Sequence, residues 1–71
     1  MQRNSNYEVV IFWSKDDEEF VAVVPELPGC AADGTSRVEA LTNIELAIRE
    51  WIETAISLGR NIPEPRVRSF A

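Results

Sequence analysis

The chain reads as a small α+β domain, an antiparallel β-β-β meander with one long helix packed on one face. Three observations predict it. Two runs rich in β-branched and aromatic residues, Tyr7–Trp13 and Glu19–Val24, flank a polar turn at 14–18. Pro25-Glu26-Leu27-Pro28-Gly29 follows, in which proline cannot donate to a ladder and Pro-Gly favours a tight turn. Ser36 with Glu39 three residues on has capping-box spacing and opens a long helical pattern.

Taken in order, Tyr7–Trp13 and Glu19–Val24 are expected to form a hairpin. Both are apolar on both faces. Val9, Ile11 and Trp13 point one way, and Val10 and Phe12 the other; Val21 and Val23 oppose Phe20, Ala22 and Val24. Cys30–Asp33 reads as a short third strand. The helix is expected over Arg37–Leu58, about 33 Å long at ~1.5 Å per residue. Leu41, Ile44, Ile48, Trp51, Ile52 and Ala55 form its apolar stripe, flanked by Val38 and Ile56, with Leu46 opposite. Gly59 stands where a left-handed C-cap is expected. Ile62-Pro63-Glu64-Pro65 is an extended connector, and the alternation in Arg66–Phe70 offers a short fourth strand. The polar start, residues 1–6, is expected to fray, leaving a core of about 7–65 in a single domain spanning 1–71.

One helix covers one face of a sheet, so the second apolar face needs a partner. A second copy of the chain is the expected occupant, through Val10, Phe12, Phe20, Ala22 and Val24; a solvated face that tolerates a few valines is the plain alternative.

Composition narrows the chemistry. With no histidine and one cysteine, Cys30, the chain has no Cys-His couple, no zinc site and no internal disulfide. Neither a phosphate-binding glycine loop nor a nucleophile elbow occurs. Asp16, Asp17, Glu18 and Glu19 are consecutive on one turn, where neighbouring side chains diverge instead of converging on a metal. No enzyme activity, cofactor or metal is therefore expected. Cys30 reads as a small buried thiol, and the prolines around Leu27 as a brace holding that side chain in the core. The formal charge of −5 opposes sequence-independent nucleic-acid binding and suits a basic protein partner. No signal-peptide or membrane-spanning pattern is visible, which with a lone cysteine suggests the cytoplasm.

The order apolar strand, P-x-L-P-G-C (25–30), Asp33-Gly34, capped Glu39-Ala40-Leu41 helix, Gly59 and Ile62-Pro63-Glu64-Pro65 resembles the HicB family of antitoxin-like proteins, over about Tyr7 to Pro65. The resemblance implies a partial RNase H-like fold without its activity, a tendency to form dimers or higher oligomers, and neutralisation of HicA, a small basic ribonuclease toxin, by direct binding. Fuller antitoxins of this family carry a C-terminal DNA-binding segment. Six residues follow Pro65 here, so direct operator binding is not expected. Charge alone nominates Asp16, Asp17, Glu18, Glu19, Glu45, Glu50 and Glu53 as contacts to such a toxin. An orphan homo-oligomeric module without a toxin is the alternative, and a metal-dependent nuclease a remote third.

Overall fold

A computed structural model describes residues 6–65. Strands β1 (Val10–Ser14), β2 (Glu19–Val23) and β3 (Ala31–Gly34) form an antiparallel sheet in the order β1-β2-β3, and helix α1 (Arg37–Leu58) packs on one face. The α+β meander expected from the sequence is the observed fold. Strand β1 begins later than its β-prone run. Tyr7 instead lies buried ahead of it, its hydroxyl donating to the Pro63 carbonyl and so tying the start of the sheet to the segment after the helix. The expected fourth strand at Arg66–Phe70 and the fraying of the first five residues lie outside the described residues.

The hairpin loop sets the register. Ser14 Oγ donates to Asp17 Oδ2 at 3.0 Å, the Glu18 amide donates to the Ser14 carbonyl at 2.7 Å, and Glu18 adopts a left-handed φ of 54°. Such a residue lets a four-residue loop rejoin the ladder. Trp13 then pairs with Phe20, Phe12 with Val21, Ile11 with Ala22 and Val10 with Val23. Between β2 and β3, Val21 pairs with Asp33, Ala22 with Ala32 and Val23 with Ala31.

The Pro25–Cys30 loop is closed by its own backbone. The Leu27 amide bonds to the Val24 carbonyl at 3.0 Å, the Cys30 amide to the Leu27 carbonyl at 3.0 Å, and Gly29 takes φ 81°. This holds Leu27 fully buried against Ile44 and Ile48, the role expected of the proline-flanked leucine. Trp51 crosses to the same loop, its indole N–H donating to the Pro28 carbonyl at 2.9 Å.

Helix α1 has the bounds that its caps predict. Ser36 accepts from the Glu39 amide at 3.0 Å, Glu39 reaches back to the Thr35 amide and hydroxyl, and Gly59 closes the helix at φ 71°. The buried stripe is Ala40, Ile44, Ile48 and Ala55, with Ala47, Trp51 and Ile52 partly buried against the core. Leu41, expected in that stripe, is 40% exposed. The reason is the approach of the helix to β3: a Cβ on Gly34 would stand 2.6 Å from the Ala40 nitrogen and 2.9 Å from the Glu39 Cβ. At that separation the small Ala40 faces the strand, and Leu41, about 100° further round, is turned to the flank.

Two substitutions test this packing. Gly34→Ala should lose about 1–3 kcal/mol of unfolding free energy by overpacking. Ser36→Ala should lose about 1 kcal/mol by removing the cap. Urea denaturation followed by Trp fluorescence measures both.

Candidate interaction surface

Register divides the sheet into two unlike faces. Ile11, Phe20, Ala22, Val24 and Ala32 belong to the face beneath α1, where Ala22 and Val24 are essentially inaccessible. Val10, Phe12, Ser14, Glu19, Val21, Val23, Ala31 and Asp33 share the opposite face, which no described element covers. Of the positions expected to mediate self-association, Val10 and Phe12 lie on this open face, 40% and 46% exposed. Phe20, Ala22 and Val24 do not. Pairing of Phe12 with Val21, and of Val10 with Val23, places Val21 and Val23 beside them instead. Phe20 is also engaged by Trp13, in a T-shaped contact at 5.1 Å between centroids, and by the Arg37 guanidinium 4.8 Å over its ring.

The acids separate in the same way. Asp16, Asp17 and Glu18 are exposed on the hairpin turn, and Glu19 opens β2 on the open face. There it meets Asp33, a residue the charge count passed over, near enough for the two carboxyls to hydrogen-bond. The signal that finds Asp33 is register: it pairs with Val21, two residues from Glu19 and on the same face. Glu45, Glu50 and Glu53 are exposed on α1, across the sheet from that face. The seven acids singled out by charge therefore form no single surface.

Electrostatics mark the pair on the sheet. The charge of Asp33 is the largest cause raising the Glu19 carboxyl above its ordinary pKa; their hydrogen bond, desolvation, Asp17 and Glu39 add to it. Glu39 is shifted the other way, lowered first by the Thr35 amide and then by the Thr35 hydroxyl. Burial raises the Cys30 thiol, consistent with an inert core cysteine. A shallow cleft of about 330 Å³ opens between Gly29–Ala31 and the Ala47, Trp51 and Ala55 side of α1. Among the described residues no three acids or cysteines are grouped to hold a metal ion, and no helix is long and apolar enough to cross a membrane.

The described residues thus form a one-helix α+β module with an apolar sheet face and an acidic edge left open, and the family match gives its setting. Residues 7–69 match the family model of the HicB-like antitoxin of bacterial toxin-antitoxin systems, and the chain belongs to that family. The UPF0150 protein Ta0767 of Thermoplasma acidophilum is 43% identical over 54 residues, covering 76% of this chain and 78% of that protein. The UPF0150 protein ssl0259 of Synechocystis is 34% identical over 58 residues, covering 82% and 78%. The crystal structure of TTHA0281 from Thermus thermophilus superposes with a TM-score of 0.77 at 25% identity, over 96% of this chain and 90% of that one. Membership of a toxin–antitoxin family implies a toxin as partner.

The two shifted carboxyls make opposite contributions to stability against pH. Glu19, raised in the folded state, contributes stability that is fully present below its unfolded pKa and lost as pH rises through the folded one. Glu39, lowered, contributes stability present above its unfolded pKa and lost as pH falls through the folded one. Asp33→Asn should therefore raise the melting temperature at neutral pH, and the gain should shrink toward about pH 3 as Glu19 takes up its proton. Glu39→Gln should lower it at neutral pH. Thermal melts across that range decide both.

Proposed function

We propose that this chain is a non-catalytic antitoxin core that binds a small basic HicA-type mRNA-cleaving toxin in the cytoplasm and occludes it. The family match over 7–69 carries this reading. The charge supports it: the chain has 12 acidic against 7 basic side chains, and its exposed acids draw a cationic partner in by long-range attraction. Lack of histidine fits a protein that blocks an active site without contributing one. Neutralisation then amounts to covering the toxin's RNA-binding surface with protein of the sign that RNA carries.

The direct test is co-expression with a HicA-type toxin, scored by growth, beside calorimetry of the two purified proteins. Rescue of growth and binding at micromolar or tighter affinity are the expected results. Affinity should fall at least several-fold as salt rises from about 0.05 M to about 0.3 M, since the attraction is screened over roughly 10 Å at 0.1 M. Continued growth arrest, with no heat of binding at low salt, defeats the reading.

A second reading, an orphan module that assembles with itself, draws on one observation. Val38, Leu41 and Ile56 are 74%, 40% and 66% exposed on one flank of α1 with the half-buried Ile52, an apolar strip interrupted by Glu45. Native mass spectrometry of wild type against Val38→Glu/Ile56→Glu tests it: a dimer or tetramer dispersed by these changes favours assembly through the flank.

A further inference from the structure

We infer that the open sheet face receives a basic segment of the toxin, whose Lys or Arg side chain seats between Glu19 and Asp33 while its apolar residues cover Val10, Phe12, Val21 and Val23. This assignment rests on the toxin-binding reading above and names the surface that does the binding.

The face poses two problems that no described element solves. Its centre is apolar, with Val10 and Phe12 40% and 46% exposed. Its end holds two carboxyls against each other, close enough that the charge of Asp33 raises the pKa of Glu19. None of the strand positions on this face is Lys or Arg. The charged groups around Glu19 are Asp33, Asp17 and Glu39, with Lys15 on the exposed turn and Arg37 directed over the Phe20 ring on the other side of the sheet.

A cation resolves the end and an apolar side chain the centre, so the occupant must carry both. A second copy of this chain brings the apolar part alone. Among the described residues it adds another Glu19–Asp33 pair and, from β1–β3, no cation to meet it. Size argues the same way. Strands of five residues at ~3.4 Å, three abreast at ~4.8 Å, span roughly 240 Å² of flat sheet, against about 800 Å² that each partner of a stable complex usually buries. The remaining contact has to come from what adjoins the face, and beyond Ser14 and Glu19 that is the turn bearing Asp16, Asp17 and Glu18. A rim of that sign extends an interface with a basic protein and opposes one between copies. Arginine suits the seat best, because a planar guanidinium can satisfy two carboxylates at once.

The experiment measures binding of the full chain to a purified, catalytically inactive HicA-type protein. Three variants accompany wild type: Glu19→Gln/Asp33→Asn, Phe12→Ala, and Glu45→Gln/Glu50→Gln/Glu53→Gln. The sheet double variant should bind about tenfold more weakly, with a flatter salt dependence, while melting at or above the wild-type temperature because the repulsion is gone. This opposition of signs separates a seat for a cation from a structural role, in which binding and stability would fall together. Phe12→Ala should weaken binding about threefold or more without loss of fold. Wild-type binding with the two sheet variants unaffected, or weakened less than the helix variant, overturns the assignment and leaves the antitoxin reading standing. Failure of wild type to bind overturns both.

Discussion

The close approach of α1 to β3 at Gly34 governs the rest of the molecule. With no side chain at Gly34, the first turn of the helix lies directly on the strand, and the small Ala40 packs against it. The helix is thereby anchored over the β3 side of the sheet. From there it covers Ala22, Val24 and Cys30 with Ile44 and Ile48, reaches Pro28 through Trp51, and leaves Trp13 on β1 half exposed. No described element covers the far side of the sheet, which carries three valines, a phenylalanine and an alanine that a larger protein would bury beneath a second layer.

This division of labour suits a module of 71 residues. A chain of this length has little apolar surface to spare. It commits one sheet face and one helix stripe to its own core, and braces them with the Pro25–Cys30 loop, which satisfies its backbone locally, and with the long-range tie from the Tyr7 hydroxyl to the Pro63 carbonyl. The other face is not needed for that core, and the proposed recognition would use it without weakening the fold. Its acidic end costs some stability in isolation, since Glu19 and Asp33 repel, and the proposed cation would release that repulsion. Charge complementarity of this kind sets which partner is accepted and how fast it arrives.

Legibility in the sequence tracked how local each determinant is. Ser36, Glu39 and Gly59 act within a turn of themselves, and the helix ends where they say. Pro25, Pro28 and Gly29 act within six residues, and Leu27 is buried as they imply. The sheet faces were less readable because register depends on the loop. The alternation of each strand is plain, yet which set of β2 joins which set of β1 is decided by the four residues at 15–18 and by Glu18 entering the left-handed region. An error of one residue there exchanges the faces, which is why alternation alone groups Phe20, Ala22 and Val24, instead of Val21 and Val23, with Val10 and Phe12. Asp33 was hidden for the same reason: it joins Glu19 only through pairing of β3 with β2. Leu41 and Ala40 exchanged places because the Gly34 contact is tertiary and leaves no mark on helical periodicity.

The most direct test of the account is a methyl-resolved NMR titration of the valine- and isoleucine-labelled chain with the catalytically inactive HicA-type protein. The two faces of the sheet and the flank of the helix report separately. The account predicts that the methyls of Val10, Val21 and Val23 shift or broaden first and most, while those of Val38, Ile52 and Ile56 change little. Perturbation confined to the helix flank, with the three sheet valines unmoved, would contradict it.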